Sequence, residues 1–167
     1  MIVLPKEIYL TAMSKRWKVS YIHTPGKLSL LELPHRKLVV YGKHYSKRAA
    51  INLLIKWIKI KSTDYLTALL LKINTKVNAD YKKVKIHSLK LEWGSVSSNK
   101  IVGLNYKLIF LPPKLVRYII IHELCHTRYL DHSKEFWKEV EKFSKNWKQY
   151  KYAPNTADSY IPEWVIT

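Results

Sequence analysis

The sequence has a single cysteine, Cys125, in 167 residues, so no internal disulfide can staple it. A secreted disulfide scaffold is excluded, and a reducing compartment, the cytoplasm, is expected. Glycine is scarce, at 4, and proline reaches only 7, which excludes collagen-like and low-complexity chains. Long apolar runs are missing as well. Met1 to Leu4 is cut short by Pro5-Lys6-Glu7, too brief for the core of a signal peptide, and nothing approaches the ~18 uninterrupted apolar residues of a membrane span. Acidic residues are the remaining shortage: 12 Asp and Glu face 30 Lys and Arg, a formal charge of +18.

What is present describes a folded chain. Hydrophobic residues make up 47% and aromatics 13%, enough for one core and too little for two ordinary domains, so a single domain over residues 1–167 is expected. Within it a β-rich, basic part covers about 1–61, a motif-bearing part about 84–150 and an aromatic tail 151–167.

The charge is unevenly spread. Between Glu32 and Asp64 no acid occurs, while eight basic residues do, interleaved with Tyr41, Tyr45 and Trp57. Unopposed cations among aromatics attract polyanions, by counterion release from phosphates and by stacking on unpaired bases. Lys43, Lys47, Arg48, Lys56 and Lys59 are the candidate nucleic-acid contacts. The plainer alternative is the solvated surface of a Lys-rich chain.

Arg16 to His23 alternates, Pro25-Gly26 marks a turn and Leu28 to Leu33 is an apolar run, which together predict a β-hairpin. Lys37 to Tyr41 is a third strand. From Ser46, an N-cap residue, Ala50, Leu53, Leu54 and Trp57 recur at helical spacing, and Ser62 or Thr63 would cap a second helix through Val77. Val84, Ile86 and Leu89 to Trp93 suggest a strand, Gly94 to Asn99 a turn, and Ile101 to Phe110 another strand. Lys114 to Tyr129 reads as a helix preceded by proline. A further helix capped by Ser133 runs to about Trp147, before an irregular tail bracketed by Pro154 and Pro162. Strands first and helices last indicate an α+β fold.

The sharpest signal is His122-Glu123-Leu124-Cys125-His126. Residues four apart share a helix face, so His122 and His126 can aim two imidazoles at one Zn²⁺ ion. Glu123 would stand beside a metal-activated water as the general base of peptide hydrolysis. A catalytic zinc needs three protein ligands and an open position. His132, after a five-residue spacer, is the preferred third ligand, because a loop imidazole needs no helix crossing to reach back; Glu135 and Glu139 on the next helix are the alternatives. His23, His35, His44 and His87 lack a paired spacing. Cys125 points off the ligand face and reads as a packed thiol.

These residues, taken with Trp93-Gly94-Ser95, Leu104-Asn105-Tyr106-Lys107-Leu108-Ile109, Tyr118-Ile119-Ile120-Ile121 and Phe136-Trp137, resemble the YgjP-like zinc metallopeptidases, relatives of the SprT-like and WLM-type proteases. The resemblance is close over about Glu92 to Trp137. It implies a zincin-like α+β domain, with His122, His126 and His132 as zinc ligands and Glu123 as general base. It also implies that an edge strand, Ile101 to Phe110, holds an extended substrate by backbone pairing. The chain departs from the family at Glu92 and Val96, where relatives commonly carry Arg and Cys. Three functions stand as expectations. The first is a zinc-dependent peptidase acting on proteins or peptides; the second is a DNA-recruited protease acting on bound or crosslinked proteins. The third is a nucleic-acid-binding module with a non-catalytic metal site, against which Glu123 counts, since a structural site needs no such carboxylate.

Overall fold

The computed structural model describes residues 2–88 and 92–166. Its first sheet opens with β1 (Glu7–Leu10) and β2 (Lys15–His23), paired antiparallel across a short 3₁₀ turn that Ser14 closes in the left-handed region, at φ 52°. Along β2 the alternation buries Trp17 and Val19 and exposes Lys18 and Ser20, the period of a half-buried strand. The hairpin expected between Arg16 to His23 and Leu28 to Leu33 does not form. Instead β4 (Lys37–Gly42) lies between β2 and β3 (Ser29–Leu33), parallel to the former and antiparallel to the latter, in the order β1-β2-β4-β3. Burial explains the exchange: Leu38 and Val40 of β4 are fully buried, whereas Leu31 and Leu33 of β3 are 48% and 37% exposed. The strand with the cleaner apolar face takes the centre.

Ser46 caps α1 as expected, its Oγ accepting from the Ala49 N–H at 3.1 Å. Helix α1 (Lys47–Val77) then runs unbroken for 31 residues, about 46 Å, in place of the two helices expected. Ser62 is fully buried and its hydroxyl donates to the Tyr106 carbonyl at 2.8 Å, while the Thr63 hydroxyl donates to the Lys59 carbonyl at 2.8 Å. Both side chains bond carbonyls, so neither caps a new helix.

The second sheet has the order β5-β7-β6, with β7 (Ile101–Asn105) parallel to β5 (Lys83–His87) and antiparallel to β6 (Gly94–Val96). Gly94 to Val96 is therefore strand rather than turn, and the turn falls at 97–100. The strand expected from Ile101 to Phe110 ends at Asn105. Tyr106–Phe110 coils into a 3₁₀ helix that buries Tyr106, Leu108, Ile109 and Phe110, a run of successive apolar residues that a strand with one buried face cannot accommodate. Leu89 to Leu91, placed in a strand by the sequence, lie outside the described residues.

Helix α2 (Pro113–His126) starts on Pro113 and stops short of the expected Tyr129. Helix α3 (Lys134–Phe143) is capped by Ser133, whose Oγ accepts from the Phe136 N–H at 3.3 Å, and ends before Trp147. The tail, expected to be irregular, winds through α4 (Trp147–Tyr150), a 3₁₀ stretch (Ala153–Tyr160) and α5 (Glu163–Ile166). One buried cluster joins Leu54, Ile58, Leu66 and Leu70 of α1 with Leu104 of β7 and Ile120 and Leu124 of α2. Among the described residues no helix is long and apolar enough to cross a membrane.

Candidate active site

Helix α2 is buried on several sides, by Leu115, Val116, Ile119, Ile120, Ile121 and Leu124. This packing fixes its rotation and turns His122 and His126 to one side, as residues four apart must be. Beyond His126 the chain folds back, and the Nε2 atoms of His122, His126 and His132 come within 3.1 to 3.2 Å of one another. Zn–N bonds of 2.0–2.1 Å at tetrahedral angles place neighbouring nitrogens about 3.3 Å apart. The trio fits such an ion, and together these residues form a group that could hold a metal. His126 Nδ1 faces the Tyr129 carbonyl at 2.8 Å. A carbonyl only accepts, so Nδ1 carries the proton and Nε2 presents its lone pair to the centre. His122 Nδ1 is buried with no hydrogen-bond partner among the described residues.

Two residues on α3, which the sequence marked only as apolar helix positions and as part of a family resemblance, build the site's walls. Phe136 is fully buried and packs on all three imidazoles, with ring centroids 4.4 Å from His126, 4.9 Å from His122 and 5.0 Å from His132. Trp137 stacks on His132 at 5.6 Å. Nearness to His132 in the chain is the one sequence signal that could have singled them out.

Burial, then the charges of the neighbouring imidazoles, pushes His122 down to about 3, and burial also lowers His126. Both rings are held neutral near pH 7, the state that ligates metal. Glu123 is 8% exposed; burial, aided by the charge of Glu92, pushes its carboxyl up to about 8. Gly94 lies against it: a Cβ there would stand 2.5 Å from Glu123 Cγ and 2.8 Å from its Cδ and Oε1. His122 and Glu123 open onto a cleft of about 230 Å³ whose walls include Trp93, Tyr118, Ile119 and Lys151. The Trp93 indole donates to the Pro154 carbonyl at 2.9 Å, tying the start of β6 to the tail.

The alternatives for a third ligand stand apart from the trio. Glu139 is buried and engaged by Arg128 at 2.5 Å and Lys142 at 2.6 Å, and Glu135 is exposed; neither belongs to the histidine group. Cys125 is a packed thiol, fully buried and pushed up to about 12 by that burial. The expected edge strand, Ile101 to Phe110, is corrected: β7 is the middle strand of its sheet, and the edge strand bordering the cleft is β6. Lys43, Lys47, Arg48, Lys56 and Lys59 are exposed. Lys56 lines a groove with Lys27 of the β2–β3 loop and Ile60, while Lys59 lies over the Tyr106 ring at 5.2 Å. Trp57, expected among them as a stacking surface, is buried and donates to Glu32 at 3.0 Å. His23 stacks on Tyr45, and neither it nor His35, His44 or His87 joins the trio.

Three convergent imidazoles, a buried carboxyl beside them and a cleft onto which they open define the class of metal-dependent hydrolases. The family is narrower. The chain belongs to the YgjP-like family, whose metallopeptidase domain it matches over residues 2–153. Among solved structures it is similar to the metallopeptidase zymogen of Pyrococcus abyssi abylysin, with 28% identity and a TM-score of 0.48, over 55% of this chain and 92% of that chain. No curated protein matches it.

Proposed function

We propose that this metallopeptidase binds one zinc ion through His122, His126 and His132 and hydrolyses peptide bonds with Glu123 as general base. The observation that carries the reading is the convergence of three Nε2 atoms within 3.1 to 3.2 Å beside a buried carboxyl. Zinc, when bound, supplies a Lewis acid that acidifies water and polarises the scissile carbonyl. Glu123, whose ionised form is disfavoured by burial, has the proton affinity needed to take a proton from the attacking water and pass it to the leaving amine. The outer edge of β6, beside Gly94 and without a strand partner among the described residues, supports backbone pairing with an extended substrate.

Elemental analysis and casein digestion test the reading together. Stoichiometric zinc is expected in the wild type and its loss in His122→Ala, His126→Ala and His132→Ala. Glu123→Gln should keep the metal and lose at least ~10²-fold in rate. Full zinc retention in the His132→Ala protein removes that ligand, and wild-type turnover by Glu123→Gln refutes the base. A second reading, recruitment to DNA, is supported by the exposure of Lys43, Lys47, Lys56 and Lys59 in an acid-free stretch. Its test is the salt dependence of DNA binding.

A further inference from the structure

The cleft beside His122 and Glu123 has a third wall that comes from the tail, far along the chain from the metal motif. Lys151 and Pro154 line it together with Glu92, Trp93 and Gly94. Lys151 is half-buried, and its Nζ lies 4.7 Å from the centroid of Trp137, 5.5 Å from Tyr152 and 5.8 Å from Trp147. Trp137 in turn stacks on Trp147 at 4.4 Å and on His132 at 5.6 Å. The ammonium is thus held by ring faces, which orient a cation without neutralising it. Among the described residues no carboxylate forms an ion pair with it.

We propose that Lys151 is a specificity-determining residue that receives a carboxylate of the substrate beside the scissile bond. This rests on the metallopeptidase reading and names the substrate class for it. An oriented, unpaired cation on the wall of a cleft otherwise lined by Ile119, Tyr118 and Trp93 acts through a medium less polar than water, where its attraction for an anion is strengthened. Ring faces leave the charge of the half-buried ammonium unneutralised, so pairing with a carboxylate is favourable. Glu92, an exposed acid that also lines the cleft, repels the same carboxylate, so the two charges act on it in opposite senses. Two sources share this chemistry: an Asp or Glu side chain, and the carboxylate at a peptide's own C-terminus.

The experiment uses the full chain loaded with zinc and three peptides of one length: one with an internal Glu and an amidated end, one neutral with a free C-terminal carboxylate, and one neutral and amidated. Expected is a kcat/KM at least ~10-fold higher for one of the carboxylate peptides than for the neutral amide. Which of the two is preferred identifies the source. Lys151→Met should abolish the preference, Lys151→Arg should keep it, and Glu92→Gln should enlarge it. Equal kcat/KM for all three peptides with the wild type, or a preference that survives in Lys151→Met, overturns the assignment. Binding of the same peptides to the zinc-loaded Glu123→Gln protein, read by isothermal titration calorimetry, needs no turnover. Failure to cleave any peptide would refute the peptidase reading, while equal binding of all three would refute the role of Lys151 by itself.

Discussion

At the scale of single residues, the site depends on what is missing at position 94. The space a methyl group would occupy there is filled by the Glu123 side chain, so Gly94→Ala must push the carboxyl out of place. A shift of this kind near 1 Å costs up to ~10² in rate, and the expected outcome is a protein with full zinc content and casein turnover lowered by ~10- to 10²-fold. Unaltered turnover would show that Glu123 has room to spare. Trp93-Gly94-Ser95 could be recognised as text in the sequence, but its steric reason could not, because Gly94 and Glu123 meet only once β6 lies along α2. The same holds for Phe136, an ordinary apolar position on α3 until three imidazoles are packed on it.

At the scale of elements, one carboxylate joins the first sheet to the long helix. Glu32 of β3 accepts from the indoles of Trp17 on β2 and Trp57 on α1, at 2.9 and 3.0 Å, and pairs with Lys61 of α1 at 2.8 Å. Burial works to raise its pKa, but the bonds from Lys61, Trp57 and Trp17, with the Lys61 charge, outweigh it and leave the group below its ordinary value. A depressed folded pKa means that the unfolded chain binds the proton first, so this stabilisation is present above the ordinary carboxyl range and is lost as pH falls through it. Glu32→Gln should therefore lower stability by about 1 kcal/mol at pH 7, discounted for part exposure. The difference from wild type in urea unfolding should shrink toward pH 3; a difference that is constant with pH would place the effect in packing. Glu32 appeared in the sequence only as the border of an acid-free stretch. Its neighbour Lys61, counted there among unopposed cations, is in fact opposed.

At the scale of the whole molecule, two groups of the site, the half-buried His122 and the buried Glu123, set opposing pH dependences in the metal-free protein. His122 is held neutral down to about 3, against an ordinary imidazole value of about 6.5, so the unfolded chain binds more protons between these values and stability falls as pH drops through them. Glu123, raised to about 8, keeps in the fold a proton that an ordinary carboxyl releases at about 4.3, so its contribution falls as pH rises from there to about 8. Between about 4.3 and 6.5 the two slopes oppose each other. In chelator-treated protein, the melting temperature of the wild type should fall relative to Glu123→Gln between pH 6.5 and 8; parallel curves would contradict the burial of an ionisable carboxyl. The charge of +18 acts at the same scale but outside the site. If Lys56 and Lys59 track a phosphate backbone, their joint change to Glu should weaken DNA binding without altering zinc content, and each cation removed should lower the slope of log K against log salt by about 0.7 to 0.9. Absence of wild-type binding at ~0.1 M salt would leave the charge as a solvated surface.

Features that depend on residues a few positions apart were legible in the chain alone. The pairing of His122 with His126 follows from helical repeat, the caps at Ser46 and Ser133 from local hydroxyl-to-N–H bonds, and the proximity of His132 from a short connection between two helices. Tertiary structure decided everything that segments distant in the chain negotiate by burial. It set β4 rather than β3 beside β2, because Leu38 and Val40 demand the sheet's centre. It carried α1 through Ser62, because the Tyr106 carbonyl needed a donor inside the core. It also brought Gly94 and Lys151 to the walls of the cleft beside Glu123, since a cleft is enclosed by segments whose periodicities are independent and whose apolar faces can be satisfied only against one another.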